Sequence, residues 1–192
     1  MRGRAYATAI SMVAAALPLL GWLSTVIVAL VCLRSGVAAG SLIFLWTLLP
    51  VGVAFYFVGD PSPMIALVGT FMMAMLLRQT LSWELVLIAS VVLSAVGALI
   101  FEFSAAGILD RFVQFYIDYL EQVDASVVID PGQARKLLIG FFAVGQAFSM
   151  VVMLMIARWC QSTLYNLGGF RKEFHQLRLS PAVSGSIVLA MA

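Results

Sequence analysis

The stretch AYATAISMVAAALPLLGWLSTVIVALVCL, residues 5–33, decides how this chain is folded. It has no charged residue, and Pro18 and Gly21 interrupt its middle. Because proline disrupts the interior of a helix, the stretch is either one tilted helix or two short ones, at about residues 3–17 and 19–33. Each short helix would reach about 22 Å, less than a hydrocarbon core of about 30 Å. Such helices need shielding by neighbours or a position beside a water-filled cavity.

The distribution of charge favours two short helices. The chain then crosses a membrane six times, and its basic residues gather on one side. That side receives Arg2, Arg4, Arg34, Arg78, Arg158, Arg171, Lys172 and Arg178, whereas the other receives Arg111, Arg135 and Lys136. With a single helix over residues 5–33 this bias vanishes. Because short loops rich in Lys and Arg stay in the cytoplasm, the pattern predicts a multi-pass protein of the plasma membrane with a cytoplasmic N-terminus.

The composition excludes an ordinary soluble domain. The chain of 192 residues is 63% hydrophobic and 10% charged, against a typical charged fraction of about 25%. Residues 40–58 and 137–157 each exceed the roughly 18 uncharged apolar residues that mark a spanning helix. We therefore predict an all-α polytopic transmembrane bundle of about six spans over residues 1–180. Residues 181–192 begin another apolar run, which we interpret as the start of a further, truncated span.

Between the fifth and sixth predicted spans, residues 105–131 are the one extended polar stretch. Apolar side chains recur there at helical spacing, at Ile108, Phe112, Phe115, Tyr116, Tyr119 and Val123. Polar side chains occupy the opposite face, at Asp110, Arg111, Gln114, Asp118 and Gln122. The pattern predicts an external amphipathic helix on the membrane or over the mouth of the bundle. Its acidic face favours packing over protein, and Pro131 suits the start of the next helix.

Few residues are suited to catalysis or to metal binding. His175 is the single histidine, and no other His or Cys stands at ligand spacing from it. The sequence contains no phosphate-binding loop, dinucleotide fingerprint or nucleophile elbow. We therefore expect neither enzymatic activity nor a metal or cofactor. The separation of charge by membrane side indicates topology, so we expect the lipid bilayer, and no nucleic acid, as a partner.

Polar residues in and beside the spans are the candidates for ligand binding. Gln146 lies well inside the sixth span, and an amide in hydrocarbon has to find a partner. It either makes an interhelical hydrogen bond, worth about 0.6–2 kcal/mol, or contacts a ligand. Asp60, Glu102, Arg135 and Lys136 could surround a pocket entrance at the outer mouth, or could be ordinary surface charges.

The first helix has rows of small residues. Ala5 and Ala9 form one row, and Ala7, Ser11 and Ala15 form another. Small residues four apart allow a second helix to approach closely. The rows therefore suit either docking of a membrane partner or packing within the chain.

A resemblance to a known family comes from the end of the sixth span. Residues 157–166, ARWCQSTLYN, are followed by GGFRKEF at 168–174 and LRL at 177–179. This stretch resembles the signature of the YybS-like family of bacterial integral membrane proteins, with Leu167 at a place where proline is expected.

The resemblance implies a fold and a function. YybS-like proteins are similar in overall pattern to the substrate-binding S components of energy-coupling-factor vitamin transporters. By that likeness, Ala5, Ala9 and Ala15 would dock a membrane coupling subunit, and the chain would bind or help transport a small molecule across the bacterial inner membrane. The alternative is a scaffold or assembly factor whose basic segment, with Arg171, Lys172 and Arg178, contacts a cytoplasmic partner.

Overall fold

The computed structural model describes residues 3–16, 21–123 and 130–165, and these residues form seven helices and no strand. The helices are α1 (Gly3–Ala16), α2 (Gly21–Ser35), α3 (Val37–Val58), α4 (Ser62–Thr80), α5 (Trp83–Ser104), α6 (Ala106–Val123) and α7 (Pro131–Tyr165). The predicted all-α class is confirmed. The apolar run at residues 40–58 lies within α3, and the predicted start of the next helix at Pro131 agrees with the start of α7.

The helices divide into long and short apolar segments. Four of them, α3, α4, α5 and α7, are long and apolar enough to cross a membrane. α1 and α2 are shorter apolar helices. The stretch that opens the chain is therefore two helices, as its proline and the charge pattern predicted. The predicted further span at residues 181–192 lies outside the described residues.

α2 is the central helix of the bundle. Its residues 24–33 are all buried, and α1, α3, α4 and α7 all pack against it. At 15 residues it reaches only about 22 Å. Its neighbours supply the shielding that so short a helix needs in a hydrocarbon core.

Three glycines allow the helices of this core to approach closely. A Cβ atom at Gly40 of α3 would lie 2.8 Å from the Cα atom of Cys32 in α2. A Cβ at Gly69 would lie 2.5 Å from the Sδ of Met150, and one at Gly97 would lie 2.5 Å from the Cγ2 of Ile65. Small residues at helix contacts are the usual means of tight packing in membranes. At Gly40 the neighbouring atom belongs to the backbone, so that contact has the least freedom to adjust.

The two ends of the bundle differ in charge, and we name them accordingly. At the basic end, which carries Arg34, Arg78 and Arg158, the Nη1 of Arg78 donates to the backbone oxygens of Leu33 at 2.6 Å and Cys32 at 3.1 Å. The Nε2 of Gln161 donates to the same Leu33 oxygen at 3.3 Å. The last carbonyls of a helix have no partner within it. α4 and α7 therefore supply partners for the C-terminus of α2.

At the opposite, acidic end, α6 packs on α5 and α7. Leu109 and Val113 are buried there, with Ile108 and Tyr116 partly buried against the core. The predicted amphipathic helix is thus confirmed, and it contacts protein. Part of its predicted apolar face remains uncovered, namely Phe112, Phe115, Tyr119 and Val123.

Candidate functional site

A cavity of about 430 Å³ lies at the acidic end, between α1, α2, α3, α4 and α7. It is located where α1 ends and α2 begins, with Ala15, Gly21 and Trp22 in its wall. Its polar lining residues are Ser24, Thr25, Asp60, Ser62, Gln146 and Ser149. Ligand pockets typically enclose about 300–1,000 Å³ and combine an apolar wall with a few polar groups. The cavity has the size and composition of such a pocket.

Gln146 links α7 to the start of α4 and also lines the cavity. Its side chain is 8% exposed, and its Nε2 donates to the backbone oxygen of Ser62 at 3.0 Å. Of the two roles that the sequence allowed for Gln146, the interhelical hydrogen bond is therefore present. No described residue donates to the Oε1 of the same amide. That oxygen can still accept a hydrogen bond.

Asp60 lies in the turn before α4, beside the same cavity. Its Oδ1 accepts from the backbone nitrogen of Ser62 at 2.9 Å and from the Ser62 hydroxyl. Gly59, with φ of 77°, closes the end of α3 in the left-handed conformation that glycine tolerates. The turn thus orients the Asp60 carboxylate through one oxygen, and the other makes no hydrogen bond with a described residue.

Sequence reasoning missed Thr25 and Trp22 as cavity residues. Thr25 is 4% exposed and lines the cavity, and its hydroxyl makes no hydrogen bond with the described residues. The neighbouring Ser24 donates instead to the backbone oxygen of Gly21 at 2.6 Å. Two adjacent hydroxyls at the start of a short apolar helix were the available signal, because a half-length helix is expected beside a cavity.

Glu102 and Arg135 belong to a different cluster. The Nε of Arg135 lies 3.4 Å from Glu102 and its Nη1 lies 2.6 Å from Asp110, so the guanidinium links α5, α6 and α7. Neither residue lines the cavity. Of the four residues predicted to bind a ligand, the structure therefore brings together Asp60 and Gln146 and places the other two in an ion-pair cluster that holds α6. Lys136, also predicted at the entrance, does not line the cavity.

The two rows of small residues on α1 face different surroundings. Ala7 and Ser11 are buried within the chain, and the Ser11 hydroxyl lies 2.7 Å from that of Thr47 in α3. Ala9 is exposed, in the wall of a surface groove of about 370 Å³ that Tyr6 and other α1 residues also line. Packing within the chain therefore accounts for Ala7 and Ser11.

The structure does not assign packing roles within the chain to the other residues that were predicted to dock a partner. Ala15 lines the cavity at the acidic end. The side chain of Ala5 and all of Arg171, Lys172 and Arg178 lie outside the described residues. Their docking roles stay predictions.

Comparison with protein-family models, with curated proteins and with solved structures finds no match to the chain. The resemblance to the YybS-like family therefore stays a prediction. Among the described residues, no group of three or more His, Cys, Asp or Glu side chains could hold a metal ion.

Proposed function

We propose that this chain is a bacterial inner-membrane protein that binds a small molecule in the cavity at its acidic end and takes part in the transport of that molecule. The supporting observation is the cavity itself, where Gln146 and Thr25 place polar atoms that make no hydrogen bond with the described residues inside an apolar bundle. Polar side chains within membrane segments are costly, so they usually mark substrate sites or pair with one another. Within the Gln146 amide, only the Nε2 is paired with a described residue.

The charge pattern gives the proposed site a direction. If the basic end faces the cytoplasm, as positively charged short loops do, the acidic end and its cavity face outward. The molecule would then enter from outside the cell, beside Asp60. This orientation is part of the proposal, and cysteine labelling at positions 34 and 60 from each side of the membrane tests it.

Transport would need a second subunit as the source of energy. The sequence has no nucleotide-binding motif, and its predicted spans carry no charged residue deep in the membrane that could couple an ion gradient. The exposed groove beside Ala9 on α1 offers a surface for a membrane helix of such a partner. The substitution Ala9→Trp would fill the groove, and we expect it to reduce uptake of the molecule without reducing its binding.

Ligand binding is tested on the full chain in lipid nanodiscs. A library of small metabolites is screened for compounds that raise the melting temperature. We expect hits whose effect is reduced in Gln146→Ala and Thr25→Val. Matched controls are Gln114→Ala on the exposed face of α6 and Thr163→Val, whose hydroxyl donates to Trp159 of its own helix at 2.9 Å.

Two results would count against the proposal. The first is a screen without hits, and the second is a set of hits that respond equally to cavity and control variants. The competing scaffold hypothesis makes a different prediction. Substitution of Arg171, Lys172 and Arg178 would abolish co-purification of a cytoplasmic partner, whereas the cavity variants would leave it unchanged.

A further inference from the structure

We infer that the cavity selects a small molecule with a protonated amine joined to an apolar body. This inference rests on the proposed function, because it assigns a chemical class to the ligand of that same cavity. It comes from the charge of the lining and from the balance of hydrogen-bond donors and acceptors there.

The charge of the lining is negative. Asp60 is the one charged side chain among the described residues that line the cavity. It is half-buried, so its interaction with a ligand charge is screened less than that of a fully exposed side chain. A cation beside it is favoured, and an anion beside it is disfavoured, by the same Coulomb interaction.

The hydrogen-bonding groups on the α4 and α7 side of the cavity are mainly acceptors. The Nε2 of Gln146 already donates to Ser62, which leaves its Oε1 as an acceptor. The start of α4 would ordinarily present free backbone N–H groups. Here Pro61 and Pro63 have no backbone N–H group, and the N–H group of Ser62 donates to Asp60.

Hydroxyl and aromatic groups extend this preference across the cavity. Thr25 and Ser149 have hydroxyls that make no hydrogen bond with described residues, and a hydroxyl oxygen can accept from a ligand. An ammonium group carries three donors and no acceptor, so it matches these atoms and the Asp60 carboxylate. The indole of Trp22 is also in the wall, and an indole face attracts cations.

The rest of the wall fits an apolar body. Val51, Ala54 and Val58 of α3 and Met153 of α7 line the cavity. Methionine is flexible and adapts to ligands of varied shape. A ligand with a charged head beside Asp60 and an apolar remainder against α3 would therefore satisfy both parts of the wall.

One feature of the cavity favours the opposite charge. α2 begins at Gly21, in the cavity wall, and the N-terminus of a helix favours a carboxylate. A partial charge of roughly half a unit at the end of a helix is smaller than the full charge of Asp60, so we expect the cation preference to prevail. A carboxylate ligand is the outcome that the experiment has to exclude.

Three probes of nearly equal size separate these outcomes. They are 2-phenylethylamine, 2-phenylethanol and 3-phenylpropanoate, titrated by calorimetry into the full chain in nanodiscs of neutral lipid. We expect the amine to bind at least about tenfold more tightly than either of the other two, a difference of about 1.4 kcal/mol. Asp60→Asn should remove most of that difference, because it removes the charge and keeps an oxygen that can accept from Ser62.

The control is Asp118→Asn, which removes one negative charge from the exposed face of α6 and should leave amine binding unchanged. Thr25→Val is a second cavity variant with nearly the same shape, and it should weaken amine binding. Equal losses in Asp60→Asn and Asp118→Asn, or no binding of the amine to the unsubstituted chain, would overturn the inference.

The same titrations separate this inference from the proposed function. Tighter binding of the carboxylate or the alcohol, weakened by Thr25→Val, would overturn the cation preference and leave the ligand site in place. If the metabolite screen also gave no compound that depends on Gln146 and Thr25, the proposed function itself would fail.

Discussion

The two ends of the bundle use polar groups in opposite ways. At the basic end, Arg78 and Gln161 donate to carbonyls that end α2, and the groups satisfy one another. At the acidic end, Gln146, Thr25 and Asp60 surround a cavity and keep atoms that make no hydrogen bond with the described protein. A buried polar atom without a partner costs free energy. The basic end thus uses its polar groups for stability, and under the proposed function the acidic end retains polar groups for a ligand.

The largest loss of stability is expected from a substitution where α2 and α3 are in contact near the basic end. Gly40→Val would place side-chain atoms against the Cα of Cys32, which a Cβ alone would approach to 2.8 Å. Overpacking typically costs 1–3 kcal/mol and more where backbone must move, so we expect a loss of about 3 kcal/mol in the free energy of unfolding. Unfolding in mixed micelles of increasing SDS content measures it.

Gly52→Val is the matched control, because it makes the same substitution in the same helix. A Cβ at Gly52 would have no atom within 4 Å apart from its chain neighbours and the nearby backbone of its own helix. We expect it to change stability by less than about 1 kcal/mol. If the two variants were equally stable, the contact between α2 and α3 at Gly40 would have more freedom to adjust than its backbone neighbour indicates.

A smaller loss of stability is expected at Arg78, with no loss of binding. Arg78→Gln removes the charged donor to Leu33 and Cys32. Hydrogen bonds to charged groups contribute about 1.5–3 kcal/mol, so we expect a decrease of about 2 kcal/mol in the free energy of unfolding. The affinity for any cavity ligand should not change, because Arg78 is at the other end of α2.

Arg111→Gln provides the control for Arg78, since Arg111 is an exposed arginine of α6 and should tolerate the change. Ligand affinity and unfolding are measured on the same nanodisc samples. A tenfold or larger fall in affinity with Arg78→Gln would show that the two ends are coupled, and the division between stability and binding would then be wrong.

The sequence predicted the helices of this bundle better than their contacts. Pro18 and Gly21 predicted a break in the first apolar stretch, and the charge pattern favoured two helices, which the structure has as α1 and α2. Serine is favoured at the start of a helix, and the Ser82 hydroxyl caps α5 by accepting from the nitrogen of Leu85. These features depend on residues close together in the chain.

The faces that meet could not be predicted in this way. The two alanine rows of α1 look alike in sequence, and the burial of Ser11 depends on Thr47, 36 residues away. Thr25 was missed because the hydroxyl of a helical threonine usually donates to a backbone oxygen of its own helix. The sequence does not show that the Thr25 hydroxyl makes no such bond and lines a cavity instead. Arg135 and Glu102 were placed at a ligand entrance because the sequence does not reveal that Asp110 shares the guanidinium.

The smallest change in the free energy of unfolding is expected for a buried hydroxyl that makes no hydrogen bond with the described residues and does not line the cavity. The Oγ1 of Thr70 in α4 is buried and makes no hydrogen bond with the described residues, and the residue is 0% exposed. Unlike Thr25, it does not line the cavity at the acidic end. Because a buried unsatisfied group costs about 1–3 kcal/mol, Thr70→Val should raise the free energy of unfolding by about 1 kcal/mol and leave ligand affinity unchanged.

Thr80→Val is the control for Thr70, since the exposed Thr80 hydroxyl donates to the backbone oxygen of Leu76 at 2.8 Å and its removal should bring no gain. Thr25→Val completes the comparison: without ligand it should also raise stability, and with ligand that gain should disappear. If Thr25→Val behaved like Thr70→Val in both conditions, the Thr25 hydroxyl would not contact the ligand. The difference between two buried threonines, measured with and without ligand, therefore separates a packing defect from a binding group.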